Sequence, residues 1–326
     1  MTVPKPDSRL SVAPMMDWTD RHCRYFLRLL SPGVRLYTEM VTAAAIHHGD
    51  KAKLLHFDPS EHPVAVQLGG SDPDLMTRAA EDAAAAGYDE ININVGCPSD
   101  RVQSGRFGAC LMAEPELVAR CFSAMQASVE VPVTIKTRIG IDDNDDYEYL
   151  KRFVDVTAAA GCRRFIVHAR VAILEGLSPK ENRNVPPLKY EHVFRLKQDC
   201  PELHVTLNGG VTTADDIAAL LECVDGVMIG RQAYHDPFFL AELEQRFLSG
   251  AQPPGRRDVV DRLLPYIERE LEAGERLIRI VRHMLGLFAG QPGARAWRRT
   301  ISENAHCRGA GVGVLLDALN AIPEAA

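Results

Sequence analysis

Eight short apolar runs divide the first 231 residues, and each is too short and too continuously apolar to form a surface helix. Runs of this kind are typical of strands buried on both faces of a parallel sheet. Helical patterns lie between them. Eight strands alternating with helices favour a (β/α)8 TIM barrel. The runs occupy residues 10–15, 35–41, 63–69, 90–95, 132–138, 164–170, 204–210 and 226–231.

A doubly wound sheet is the alternative architecture, but it predicts a glycine-rich phosphate turn after the first strand. The sequence at that point, APMMDWTD, contains no glycine. After the last strand, SGAQPPGRRD at 249–258 is rich in Pro and Gly and is typical of a linker. We therefore predict a barrel domain over 1–248, a linker over 249–257 and a small helical domain over 258–326.

Composition excludes several classes of protein. The chain of 326 residues has no apolar run near the roughly 18 residues that span a membrane. Its N-terminus, MTVPKPDSRL, lacks the apolar segment of a secretory signal, so we expect a cytoplasmic protein without a membrane partner. The eight cysteines form no CxxC pair and no Cys/His cluster with zinc spacing, so we expect no metal site.

The net charge of −7 argues mildly against a nucleic-acid partner, but the charge is unevenly distributed. From Arg276 to Arg308 the chain has seven arginines and one acid, Glu303, so this segment carries +6 and the rest of the chain −13. On charge alone, such a cluster is either a solvated helix face or a site for an anionic partner.

Polar side chains follow the predicted strands at their carboxyl ends, where barrel enzymes place their chemistry. Burying such groups without a partner is costly, so a bound polar ligand would explain them. Lys136 and His168 end the fifth and sixth strands. A lysine at this position can stabilise negative charge on a flavin ring, or form a structural ion pair with Glu39 or a nearby acid. Gln67, which ends the third strand, can hydrogen-bond a flavin edge or satisfy backbone groups.

The turns after the seventh and eighth strands are candidates for a phosphate site. Asn208-Gly209-Gly210 precedes the helix start TTADDI, and Gly230-Arg231 supplies a second glycine turn beside a cation. Backbone N–H groups at a glycine turn and a helix start bind phosphate, and barrels commonly hold a phosphate after these two strands. The glycines alone would predict only a tight turn, but in combination with Arg231 we favour phosphate.

Cys97 follows the fourth strand in the sequence INVGCPSD and is presented beside a glycine-containing loop. From the residues alone it is either a small corner residue or a thiol that acts in the site. Cys110, in FGACLM after the same loop, is interpreted as a core residue.

Seven motifs, in order, resemble the tRNA-dihydrouridine synthase family over roughly residues 9–240: APMMDWTDRHCR, QLGGSDP, NINVGCPSDRV, KTRIG, VHAR, NGGV and IGRQAY. The predicted C-terminal helices match the helical domain of that family. The phrases MMDWTDRHCR, ARVAILEGLSPKENRNVPPL and RAWRR resemble its A-type branch, which is similar to enzymes acting on uridines 20 and 20a of the tRNA D-loop.

The resemblance implies an FMN cofactor, NADPH or NADH as the electron donor, and tRNA as the substrate. It implies that the flavin ring contacts Pro14, Met15 and Met16. The isoalloxazine or ribityl group would contact Gln67, Lys136 and His168. The phosphate would lie against Asn208, Gly209, Gly210, Gly230 and Arg231. Residues implied to contact tRNA are Asn94, Lys180, Arg183 and members of the set Arg295, Arg298 and Arg299.

The resemblance also implies a role for Cys97. Reduction of the C5=C6 bond of uracil needs a hydride at C6 and a proton at C5. Reduced FMN can give the hydride from N5, so the proton must come from the other face of the uracil ring. A thiol with the ordinary pKa of about 8.5 is mostly protonated at neutral pH, so Cys97 is expected to be the general acid.

Three other functions stay open at this stage. An FMN-dependent reductase or dehydrogenase of a free pyrimidine or an enone would share the flavin site but would not need the basic helical segment. A non-catalytic tRNA-binding protein would keep the barrel as a scaffold, although Cys97, Lys136 and His168 argue against it. A barrel aldolase that uses Lys136 as a Schiff base is a weaker third possibility.

Overall fold

A computed structural model describes residues 9–99 and 105–323. The chain divides into two compact units. The first contains the residues up to Met16 together with Arg35–Gly230, and the second contains Asp17–Val34 together with the residues from Arg231 onward. Among the residues described, no helix is long and apolar enough to cross a membrane.

All eight predicted strands are present in the first unit, and every pairing between them is parallel. They are β1 Leu10–Val12, β2 Leu36–Thr42, β3 Val64–Gly69, β4 Glu90–Val95, β5 Val133–Arg138, β6 Arg164–His168, β7 His204–Asn208 and β8 Gly226–Ile229. Their order is β1-β8-β7-β6-β5-β4-β3-β2. Arg35 closes the barrel: its carbonyl oxygen accepts from Val12 N at 2.9 Å, and its N–H donates to Leu10 O at 3.1 Å. The predicted TIM barrel is confirmed.

Helices follow the strands as the sequence patterns predict. The helix over Pro73–Ala86 shows why: the Asp72 side chain caps it by accepting from Leu75 N at 2.9 Å, and Gly87 ends it at φ 97°. Helices α1–α7 cover Arg21–Leu30, Ala43–His48, Lys51–Leu54, Pro73–Ala86, Pro115–Ser128, Tyr147–Ala159 and Tyr190–Asp199. Helices α8–α14 cover Ala214–Leu221, Arg231–His235, Phe239–Phe247, Arg256–Glu272, Leu277–Val281, Ala294–Asn304 and Gly313–Asn320. Within residues 9–99 and 105–323, four 3₁₀ helices cover Pro59–Glu61, Gly108–Ala113, Glu181–Arg183 and Arg282–Met284.

The interior of the barrel is polar on one side and apolar on the other. Ala13, Tyr37, Ala65, Ile166 and Met228, from five different strands or strand ends, form an apolar cluster. Strand β4 reads E-I-N-I-N-V, and its polar residues hydrogen-bond to inward side chains of β3 and β5 while its isoleucines lie on the opposite face. This inversion of the usual apolar interior already indicates that β4 supports a polar site.

The second unit is helical and includes α1, which precedes β2 in the sequence. The Glu244 carboxylate on α10 accepts from Ser31 Oγ and, at 2.9 Å, from Gly33 N, just after α1. The Tyr266 hydroxyl on α11 lies 2.7 Å from Nδ1 of His22. These long-range contacts lie within the second unit, and the first unit ends at Gly230. Helix α11 begins at Arg256, inside the predicted linker, and the domain limits at 248 and 258 stay predictions.

Candidate active site

Strand register brings the predicted flavin-contacting side chains to one rim of the barrel. The carboxyl ends of parallel strands share a rim. Gln67 pairs with Asn92 across β3 and β4, and Asn94 pairs with Lys136 across β4 and β5. His168 pairs with Asn208 in the same way across β6 and β7. Residues that are distant in the sequence are therefore neighbours at the mouth.

The turn that carries Cys97 is held from three sides. Oδ1 of Asn94 accepts from the N–H groups of Gly96 at 3.1 Å and Cys97 at 3.0 Å. Nε of Arg138 donates to the carbonyl oxygen of Gly96 at 3.1 Å. The N–H of Ala109 donates to the carbonyl oxygen of Cys97 at 2.9 Å. The Cys97 side chain is half-buried, with its Sγ 3.5 Å from an oxygen, Ser99 Oγ. These hydrogen bonds hold the Cys97 backbone in place, so its side chain starts from a fixed position at the rim.

Cys110 differs from its expected position in the core. It is half-buried, while Ala109, Leu111 and Met112 beside it are buried. Its thiol donates to the carbonyl oxygen of Phe107 at 3.1 Å, and burial raises its pKa. The short 3₁₀ helix there turns this side chain partly out of the core, which a fragment as short as FGACLM does not reveal.

Basic side chains cluster beside the Cys97 turn. Burial, followed by the charge of Arg138, lowers the pKa of Lys136 to about 7. Burial, followed by the charges of Arg138 and Lys136, holds the pKa of His168 well below its usual value. Among the described residues Lys136 has no acidic partner, so the structural ion pair with Glu39 is not formed. A cluster of bases whose charging is suppressed favours a ligand that carries or develops negative charge.

The glycine turns after β7 and β8 leave room that larger residues would fill. Gly209 and Gly210 have φ of 116° and 72°, a region that glycine adopts readily. A Cβ on Gly209 would lie 2.7 Å from Cδ2 of His168. A Cβ on Gly230 would meet nothing within 4 Å among the described atoms, so open space adjoins this turn. A phosphate group at these turns stays a prediction.

Asn208 has a structural use that sequence reasoning did not predict. Its Nδ2 donates to the carbonyl oxygen of Met228 on β8 at 2.8 Å. With respect to the described residues, Oδ1 and the second Nδ2 proton of Asn208 are left for a ligand. Asn94 is also committed, since its Nδ2 donates to Oε1 of Gln67 at 2.7 Å.

The residues after β1 lie over the apolar part of the barrel interior. Met15 is partly buried and packs against the apolar cluster, and Pro14 is half-buried. Met16 is 55% exposed and is one of three exposed large hydrophobic residues in the described chain. An apolar surface with the exposed Met16 side chain beside it is the kind of surface that packs against a planar aromatic ring, and a flavin contact here stays a prediction.

Lys180 and Arg183 lie on an exposed loop whose centre is anchored. Asn182 between them is fully buried: its Nδ2 donates to the carbonyl oxygen of Ile173 at 2.9 Å, and its Oδ1 accepts from Ile173 N at 2.7 Å. Nη1 of Arg138 donates to the Asn182 carbonyl oxygen at 3.0 Å. Arg138, which had no assigned role, therefore braces both this loop and the Cys97 turn. The sequence feature that could have indicated this role is the position of Arg138 in the motif KTRIG, two residues after Lys136.

The remaining predicted residues belong to the second unit. Arg231 is half-buried and is the first residue of α9. Helix α13 buries Trp297 and Ile301 and exposes Arg295, Arg298 and Arg299 on its other side. Arg299 forms an ion pair with Glu303 at 2.8 Å, one turn later.

Comparison with known proteins gives a consistent result. The model of the family described as Dihydrouridine synthase (Dus) matches residues 11–324. The tRNA-dihydrouridine(20/20a) synthase of Vibrio parahaemolyticus is 57% identical over 318 residues, 97% of either chain. The enzyme of that name from Shewanella oneidensis is 56% identical over 310 residues, 95% of this chain and 92% of the relative.

The fold has a match among solved structures. The crystal structure of TcOYE with pHBA superposes with a TM-score of 0.52 at 10% identity, covering 77% of this chain and 92% of that one. At this identity the likeness concerns the barrel fold alone. Sequence similarity over nearly the whole chain carries the assignment: the protein belongs to the dihydrouridine synthase (Dus) family of enzymes.

Proposed function

We propose that the protein reduces uridine to 5,6-dihydrouridine at positions 20 and 20a of the tRNA D-loop. FMN is the proposed cofactor, NADPH the proposed electron donor and the cytoplasm the proposed compartment. The observation that carries the proposal is a thiol, Cys97, on a braced turn at the rim that also bears Lys136 and His168. The names of the relatives support the positions of the uridines.

The cofactor would be held by residues from several strand ends. Gln67, Lys136 and His168 would bind the flavin ring or the ribityl chain, and Met15 would lie against the ring. The phosphate would be bound by Asn208, Gly209, Gly210, Gly230 and Arg231. When bound, FMN would supply the hydride that adds to C6 of uracil.

The chain itself would supply the proton and the charge balance. The Cys97 thiol would give its proton to C5, from a turn whose amide groups are held by Asn94. The lowered pKa of Lys136 means that this side chain gains a proton when negative charge develops beside it, since an anion favours the charged form. Lys136 would therefore stabilise negative charge on the flavin as well as hold the ring.

The substrate uridine is stacked within a folded tRNA and must leave its stack to reach the rim. Arg295, Arg298 and Arg299 are proposed to contact tRNA phosphates, which position a nucleic acid without reading its sequence. Lys180 and Arg183 are proposed to contact the tRNA from the anchored loop of the barrel. Asn94 has one Nδ2 proton left with which it could contact the uracil.

The test compares two half-buried thiols. Purified protein should show flavin bands at roughly 370 and 450 nm. These bands should bleach with NADPH under anaerobic conditions and recover when unmodified tRNA is added. Cys97→Ala should slow the recovery by a factor of about 100 to 10,000 while the bleaching rate is kept, because only proton donation is lost. Cys110→Ala is the matched control and should behave as wild type.

Other results would select the alternatives. Recovery on a free pyrimidine instead of tRNA would indicate a small-molecule reductase. A colourless protein that takes up no added FMN but binds tRNA would indicate a non-catalytic binding protein. Equal recovery rates in wild type and Cys97→Ala would overturn the role of Cys97 as general acid.

A further inference from the structure

A continuous chain of hydrogen bonds crosses the barrel interior toward the Cys97 turn. Thr134 Oγ1 donates to Glu90 Oε1 at 2.8 Å, and Asn92 Nδ2 donates to Thr134 Oγ1 at 2.8 Å. Gln67 Nε2 donates to Asn92 Oδ1 at 2.8 Å, and Asn94 Nδ2 donates to Gln67 Oε1 at 2.7 Å. We call these five side chains the interior relay. It ends where Asn94 Oδ1 accepts the N–H groups of Gly96 and Cys97.

The direction of the interior relay follows from its first member. A carboxylate has no proton to donate, so Glu90 can only accept hydrogen bonds. The Thr134 hydroxyl must therefore donate its one proton to Glu90. The Thr134 oxygen is then free only to accept, and it accepts a hydrogen bond from Asn92 Nδ2. This orientation of the Asn92 amide directs its Oδ1 toward Gln67. The same logic turns the Gln67 oxygen toward Asn94 and the Asn94 oxygen toward the turn. One acceptor therefore determines the orientation of three amides in series.

Burial makes these orientations hard to reverse. Glu90, Thr134, Asn92 and Gln67 are each at most 2% exposed. A flipped amide in this interior would face donor to donor or acceptor to acceptor, and water has little access to relieve the mismatch. Arg35 Nη1 lies 3.6 Å from Glu90 Oε2 and provides a buried positive charge beside the carboxylate.

We propose that Glu90 is a positioning residue for Cys97, acting through the interior relay. Glu90 lies at the amino end of β4, and Cys97 follows the carboxyl end of the same strand. With the Asn94 amide reversed, its Nδ2 would face the N–H groups of Gly96 and Cys97, and the turn would lose both hydrogen bonds. This inference rests on the proposed role of Cys97 as the proton donor.

Thr134 allows the relay to be broken with little change of shape. Thr134→Val replaces the hydroxyl with a methyl group and disconnects Glu90 from Asn92, whereas Thr134→Ser retains the hydroxyl. Tyr37→Phe is the matched control. The Tyr37 hydroxyl donates to Glu90 Oε1, the oxygen that Thr134 also contacts, but Tyr37 is not on the path to Cys97.

The experiment uses holoenzyme, NADPH and an unmodified tRNA transcript in anaerobic stopped flow. Thr134→Val should slow reoxidation by tRNA about tenfold, or about 1.4 kcal/mol, with the rate of reduction by NADPH kept. Thr134→Ser and Tyr37→Phe should match wild type within about twofold. In parallel, alkylation of Cys97 by iodoacetamide, followed by peptide mass spectrometry, should be about threefold faster or more in Thr134→Val, since a loosened turn exposes the thiol.

Each outcome has a separate meaning. If Cys97→Ala slows reoxidation but Thr134→Val behaves like Tyr37→Phe in both assays, the positioning role is overturned and the proposed function stands. If Cys97→Ala has no effect on reoxidation, the proposed role of Cys97 as proton donor fails, and the positioning inference falls with it. If Thr134→Val does not fold or does not bind FMN, Glu90→Gln is used in its place. The glutamine amide can donate as well as accept, so it no longer determines the direction of the interior relay. The same selective loss would support the inference, and wild-type reoxidation and alkylation would overturn it.

Discussion

Arg138 donates a hydrogen bond from Nε to the carbonyl oxygen of Gly96, so a cation on β5 holds the residue directly before Cys97. The same guanidinium reaches the carbonyl oxygen of Asn182, in the loop that carries Lys180 and Arg183. Burial lowers the pKa of Arg138 to about 10, which still leaves the group charged at neutral pH. One side chain thus links the proposed proton donor to a proposed tRNA-contacting loop.

We expect Arg138→Lys to slow dihydrouridine formation by about a factor of 100, because an ammonium cannot reproduce the divergent contacts of the guanidinium and the turn shifts. The measurement is the rate of dihydrouridine formation in tRNA at saturating NADPH. Arg152→Lys is the matched control, since Arg152 is exposed and contacts only Glu116 among the described ion pairs. Equal rates for the two variants would contradict the bracing role.

Lys136 should make the stability of the FMN-free protein depend on pH. Its folded pKa is about 7 against an ordinary value of 10.5, mainly because of burial. Between these values the unfolded chain binds a proton that the folded chain does not, so the free energy of unfolding rises with pH across this window. The contribution is fully present above about pH 10.5 and is lost as pH falls through about 7.

Lys136→Met removes that titration. Urea unfolding at pH 7 and pH 9 should show a smaller increase in the free energy of unfolding for the variant than for wild type, because all other groups titrate in both proteins. An equal increase would mean that the folded pKa of Lys136 is ordinary. The variant should also bind FMN more weakly, which equilibrium dialysis would measure.

Asp20 in the second unit should contribute stability through a buried ion-pair network. Its carboxylate caps α1 and contacts Arg282 at 2.7 Å and the fully buried His283 at 3.0 Å. Burial raises its pKa, but hydrogen bonding and charge from His283, with help from Arg282, hold it well below the ordinary 3.8. This stability is present above about pH 4 and is lost as pH falls toward the folded pKa.

We expect Asp20→Asn to lower the free energy of unfolding at pH 7 by about 2 kcal/mol, discounted for the partial exposure of the carboxylate. Urea denaturation monitored by circular dichroism would measure the change. Asp261→Asn, at an exposed position of α11, serves as the control and should have almost no effect. The difference between the two variants should shrink at low pH, and a constant difference would argue against the ion-pair explanation.

The arginines on α13 should govern the salt dependence of tRNA binding. Arg298→Ala should weaken binding and reduce the slope of log K against log salt by about 1, because one fewer phosphate is neutralised. Arg299→Ala should have a smaller effect, since Arg299 must first leave Glu303. FMN content should not change in either variant. Arg78→Ala, exposed on α4, is the control, and an unchanged slope in both α13 variants would refute the assignment.

The sequence predicts the strands and the rim well, because these follow from local periodicity. Strand β4 lies where its pattern places it, and His168 is the last residue of β6, whereas Lys136 lies two residues before the end of β5. The interior relay is not predictable in this way. Asn92 reads as a single polar residue in a strand, and its partners depend on the register that sets Gln67 and Thr134 beside it. The donation from Asn208 to Met228 depends in the same way on how β7 meets β8.

The membership of α1 in the second unit has a consequence for synthesis on the ribosome. Its partner Tyr266 lies 236 positions after Leu30, so at roughly 5–20 residues per second α1 waits on the order of 10–50 s for that partner to emerge. During this interval α1, which buries Phe26 and Leu27 in the folded protein, lacks Tyr266, whose ring stacks on Tyr25. The segment between β1 and β2 is therefore where a chaperone that captures nascent chains would be expected to bind this protein.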